Sequence, residues 1–112
     1  GHDSHNIICA GQSPEDMVLA VETIKKMAGG ICIVHNGVVK AQLPLPVAGL
    51  MSDESGTSVK DKLEELQKEV GILGIYEHIE PFVTLSFLAL PVIPTLRLTD
   101  KGLFDVIKWS FL

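Results

Sequence analysis

The sequence predicts an α/β fold of the α+β kind: a single domain over residues 1–112, with a two-layer mixed β-sheet, two main helices, a βαββ start and a C-terminal hairpin. Three observations carry that expectation. Apolar residues recur at helical spacing in two separate stretches, and short apolar runs bounded by glycine and polar residues flank the first of them. Between two of those runs sits an Asn-Gly pair, a strong short-range hairpin signal. The length agrees, since 112 residues support one core but fall well short of a barrel enzyme of about 250 residues.

Taken in order, the chain opens on His2-Asp3-Ser4-His5-Asn6, polar side chains set directly before the apolar run Ile7-Ile8-Cys9-Ala10. His5 to Ala10 reads as a first strand, with polar groups at its mouth and apolar residues anchoring it. Gly11-Gln12-Ser13 turns the chain, and Ser13-Pro14-Glu15-Asp16 is a helix start. Ser13 can accept an orphan amide, Pro14 occupies a position where a missing N–H costs nothing, and Asp16 complements the helix dipole. Met17, Ala20, Val21, Ile24 and Met27 then share one helical face, and Gly29-Gly30 ends the helix.

Ile31 to Val34 is apolar on both faces, as in a strand covered from each side. The Asn36-Gly37 turn should return Val38 to Leu43 antiparallel to it. Pro44 to Met51 is barred from regular strand by its prolines, yet it is apolar enough to require a surface to lie against. After the polar break from Ser52 to Gly56, Ser58 is the expected cap of a second helix, with Asp61 three residues on. Val59, Leu63, Leu66, Val70 and Leu73 make its apolar stripe; Lys60, Glu64, Glu65, Lys68 and Glu69 make its wet face. Pro81 to Leu96, interrupted by prolines, is expected as short extended segments. Thr95 to Leu98 and Leu103 to Ile107 form a closing hairpin around Thr99 to Gly102.

Composition narrows the partners. The chain is 46% hydrophobic and 21% charged, with a mean hydropathy of +0.33, so apolar surface should remain for something else to cover. A net charge of −5, a pI near 5.2 and the lack of any Lys/Arg cluster argue against nucleic acid. The longest apolar stretch, Pro81 to Leu96, is shorter than the roughly 20 residues a bilayer requires and is broken by proline. Cys9 and Cys32 lie in apolar runs with no CxxC spacing and are expected as buried free thiols. Gly1-His2-Asp3 has neither the basic region nor the apolar core of a signal peptide, and no initiator Met, so it reads as a fragment boundary in a cytoplasmic protein.

Four blocks carry a resemblance: His2 to Ile8; Glu15-Asp16-Met17 with Ala20-Val21; Leu43 to Ser52; and Leu88 to Pro94 followed by Leu96 to Leu103. In this order, over nearly the whole chain, the sequence resembles the C-terminal domain of the bacterial and archaeal adenine deaminases. The resemblance implies a parent hydrolase of the amidohydrolase superfamily, acting in purine metabolism with manganese or iron as its metal. It also implies an upstream metal-binding barrel domain, adenine as substrate and a homo-oligomer. The family's metal ligands belong to that barrel. No His-x-His strand end or set of strand-end carboxylates occurs here, so no catalytic residue or metal ligand is carried onto this chain, and no cofactor is expected in it.

The candidates that remain are His2, Asp3, Ser4, His5 and Asn6, as residues near substrate or at a domain junction. His2 and His5 suit ligation or proton transfer, Asp3 can orient an imidazole, and Ser4 and Asn6 can hydrogen-bond a purine edge or the barrel. The plainer alternative is that Asp3, Ser4 and Asn6 satisfy backbone groups where the chain enters the fold. His35, His78 beside Glu77 and Glu80, the Asp53-Glu54 turn, Asp100, Trp109 and Phe111 are better explained as surface, turn or docking residues. A stand-alone purine-binding module and a purely structural or oligomerisation domain stay open as alternative functions.

Overall fold

Ser13 begins the first helix as its chemistry requires. In the computed structural model, which describes residues 1–75 and 78–112, its Oγ accepts the Asp16 amide at 3.1 Å. Helix α1 (Pro14–Lys26) follows, with Glu15 and Asp16 in its first turn and Lys25 and Lys26 in its last, both complementing the dipole. Strand β1 (Gly30–His35) pairs antiparallel with β2 (Val38–Pro44). Asn36 and Gly37 join them at φ values of 54° and 73°, the left-handed pair that a type I′ turn needs. The expected helix start and hairpin are therefore both present.

Glycine is required where this hairpin begins. A Cβ on Gly30 would stand 2.3 Å from the Leu43 carbonyl oxygen, and one on Gly29 would stand 2.4 Å from the Gly49 Cα. The loop after β2 thus passes directly over the helix-to-strand junction, held by the Leu45 amide donating to the Gly29 carbonyl at 3.0 Å. Helix α2 (Gly56–Ile72) packs chiefly on β2 and α1 chiefly on β1. The core of this unit, which runs from Cys9 to Ile79, is Ala20, Ile33, Ala41, Leu43, Leu66 and Val70. Leu66 is fully buried, worth roughly 1.5–3 kcal/mol of transfer free energy.

A second unit comprises Gly1–Ile8 and Glu80–Leu112. It holds helix α3 (Pro81–Leu88) and a three-stranded antiparallel sheet of β3 (Leu96–Thr99), β4 (Gly102–Asp105) and β5 (Ser110–Phe111), with β4 central. Among its residues only Pro81, Ala89 and Asp105 are buried.

The α+β class holds, and several elements depart from expectation. His5 to Ala10 is not a strand, so the fold starts αββ rather than βαββ. His5 sits at φ 49° and donates its amide back to the Gly1 carbonyl, while Ser4 bonds Asn6; local bonds of this kind compete with a ladder. Among the described residues no mixed sheet forms: their strands make two separate antiparallel sheets, and β1 pairs there with β2 alone rather than taking a central position. Pro81 to Leu88 is helical rather than extended, because the Glu80 carboxylate accepts the Val83 amide at 2.6 Å and Pro81 takes the first helical position. Helix α2 begins one turn earlier than Ser58. Ser55 is its cap, accepting the Ser58 amide at 3.3 Å. Pro44 closes β2 opposite Gly30 rather than standing outside it as expected, and the irregular stretch runs from Leu45 to Met51, where Val47 and Met51 remain exposed. The closing hairpin is present and gains β5.

Candidate functional site

The opening cluster is held by its own backbone and side chains. His2 Nδ1 lies 3.0 Å from Asp3 Oδ1, Ser4 Oγ donates to Asn6 Oδ1 at 2.5 Å, and the His2 and His5 rings stand 6.1 Å apart between centroids. Four of the five candidates, Asp3, Ser4, His5 and Asn6, line a cleft of about 560 Å³ within the second unit; His2 does not. The facing wall is Ala89 to Val92, just after α3, and Thr99-Asp100 at the β3–β4 turn. Thr99 Oγ1 is already engaged, donating to the Gly102 carbonyl at 2.9 Å and accepting the Lys101 amide at 3.1 Å.

This cleft sets two carboxylates, an imidazole, hydroxyls and an amide beside the apolar surface of Leu90, Pro91 and Val92. Such a surface can grip a group with an apolar face and a hydrogen-bonding edge. It does not suit a metal. Among the described residues no three His, Cys, Asp or Glu side chains come together as a cation would require. Of the facing wall, the sequence singles out Asp100 alone, as a turn residue; Ala89 to Val92 and Thr99 carry no reactive pattern, and their signal is membership of the long blocks of resemblance.

Other singled-out residues have structural partners. Glu54 accepts from Ser58 Oγ at 2.5 Å and pairs with Lys62; these bonds, Lys62 first, hold its carboxyl below the usual range. His35 is exposed, with Nε2 at 3.2 Å from Asn36 Nδ2. His78 is exposed, and its neighbour Glu77 lies outside the described residues. Phe104 makes edge contacts with Trp109 at 5.3 Å and Phe111 at 5.1 Å. Burial raises the Cys9 thiol pKa, and burial with the nearby Cys9 takes Cys32 up to about 11. Both thiols are therefore held mainly in the protonated form near neutral pH.

Fold and site together define a small α+β domain with a polar-edged cleft and no assembled metal site among its described residues. Residues 1–110 match the family described as the adenine deaminase C-terminal domain, and the chain belongs to that family. It is 52% identical over 109 residues to adenine deaminase 2 of Carboxydothermus hydrogenoformans, covering 97% of this chain and 19% of that protein. It is 47% identical over 111 residues to adenine deaminase of Geobacillus kaustophilus, covering 99% of this chain and 19% of the relative. With adenine deaminase of Methanococcoides burtonii the identity is 54% over 110 residues, covering 98% and 19%. The chain thus spans about a fifth of the length of the curated relatives it matches. No helix among the described residues is long and apolar enough to cross a membrane.

Proposed function

We propose that this chain is a non-catalytic domain of a cytoplasmic enzyme that hydrolyses adenine to hypoxanthine and ammonia. The observation that carries the reading is the family match over residues 1–110 together with relatives named adenine deaminase. Manganese or iron would supply a hydroxide nucleophile in such an enzyme, bound by ligands outside these residues. The partner of this domain is then the metal-binding part of the same parent, in a homo-oligomer.

Within that enzyme the cleft is the domain's contribution. Asp3, Ser4, His5 and Asn6 present hydrogen-bonding groups on one wall, and the fold holds them against Leu90, Pro91 and Val92. Their role is to shape the junction with the metal-binding part, on the side that faces substrate. The test is adenine hydrolysis by the full-length parent carrying His5→Ala, with metal content and folding checked alongside. A fall in turnover of tenfold or more, about 1.4 kcal/mol in the barrier, with metal retained is expected. Turnover equal to the unmodified parent would return the cluster to a purely structural role.

A further inference from the structure

We infer that the leucine face of the three-stranded sheet, Leu96, Leu98 and Leu103, docks against the portion of the parent chain outside these 112 residues. The inference rests on the reading of the chain as one domain of a longer enzyme. Leu98 and Leu103 are direct cross-strand partners, and Leu96 lies two residues before Leu98 on the same face. All three are large aliphatic side chains left open, at 43%, 65% and 40% exposure.

The charged groups nearest this face are turned to local duties. Arg97, one step out of phase on β3, donates its two terminal nitrogens to the Leu96 and Pro94 carbonyls, both at 2.6 Å. Asp105, opposite Leu96, has Oδ1 taken up by the Ile107 and Lys108 amides, both at 2.9 Å. What remains is a largely apolar surface whose one carboxylate, Asp105, already has partners: besides the two amides, its Oδ2 lies 3.7 Å from the Lys108 ammonium, so the leucines can be covered without leaving that charge alone. The unit bearing it has almost no interior of its own, with Pro81, Ala89 and Asp105 its only buried residues. A unit so small needs additional covered surface to be stable.

The occupant follows from what lies outside. Matches to this chain cover about a fifth of the relatives' length, so most of the parent's surface belongs to chain outside these 112 residues and tethered to this domain. A tethered partner acts at high effective concentration and outcompetes a free second copy for the same face.

The experiment places a cysteine at Leu98 in the full-length parent and follows maleimide labelling by peptide mapping, native against urea-unfolded. Labelling of Leu98→Cys in the native parent is expected to be slower by roughly tenfold or more, because a docked face must open before it reacts. Dilution should not change it. Leu103→Cys, on the opposing strand, should behave alike and serves if the first variant folds poorly. Native labelling as fast as the unfolded chain overturns the proposal, and so does protection lost on dilution in step with dissociation, which would make a second copy the occupant. Adenine hydrolysis by the same preparations keeps the two readings apart. Reactive thiols with turnover intact sink the docking alone, and protected thiols in the variants, with no adenine hydrolysis by the unmodified parent, sink the functional reading alone.

Discussion

Asp16 joins a helix to a turn twenty residues away. Its amide closes the Ser13 cap, and its carboxylate accepts the Asn36 amide at 3.0 Å and the Gly37 amide at 2.7 Å. Asp16→Ala removes the acceptor for both turn amides and should cost about 1–3 kcal/mol in urea unfolding, with Asp16→Asn recovering part. Asp105 does similar work at the end of β4. The Lys108 amide first, with the Ile107 amide adding to it against an opposing burial effect, holds its carboxyl below the usual carboxylate range. A lowered folded pKa gives stability that is present above the unfolded value and lost as pH falls through the folded one. Acid melts should therefore show a loss below about pH 4 that Asp105→Asn makes shallower. The cysteines follow the opposite sign: their raised values leave little thiolate, and titration with a thiol reagent at pH 7 should find Cys32 slower than Cys9.

At the scale of elements, two glycines with positive φ separate close approach from conformational cost. Gly37 at φ 73° has open space around the missing Cβ, so Gly37→Ala should cost only about 1–2 kcal/mol of left-handed strain. Gly30 at φ 145° adds a backbone collision with Leu43, and Gly30→Ala should cost about 3 kcal/mol or more, measured by thermal melting. Caps decide boundaries in the same way. Ser55→Ala should weaken α2 by about 1 kcal/mol, whereas Ser58→Ala loses only an exposed bond to Glu54 and should change stability by a few tenths. Helix α3 is legible in Glu80-Pro81, a cap and a first-turn proline, whereas Pro91 and Pro94 a few residues on signal extended chain and mask it in the composition of the stretch.

For the molecule as a whole, the exposed apolar residues set its behaviour outside its parent. Val83, Phe87, Val92, Leu98, Ile107 and Trp109 are all open in the second unit. The isolated 112 residues should self-associate at high concentration, seen by light scattering as a mass that rises with concentration. A monodisperse monomer would contradict this. The same preparation should show no metal-dependent turnover of adenine, because activated water needs several fixed ligands and the described residues assemble none.

The sequence by itself determined the elements whose signals are local: the Ser13-Pro14 helix start, the Asn36-Gly37 hairpin, the apolar stripe of α2 with Leu66 and Val70 inward, and the closing hairpin. It also carried the family, since long ordered blocks such as Leu43–Ser52 are specific where short motifs are not. Tertiary structure alone decided that Ile7–Ala10, apolar enough for a strand, joins neither of the two sheets among the described residues. It likewise decided that Asp16 serves a distant turn, and that Asp3 to Asn6 meet Leu90 to Val92 and Thr99-Asp100 around one cleft. Each of these depends on which segments lie beside each other in space, and side-chain periodicity along the chain records only which face a residue takes, not what it faces.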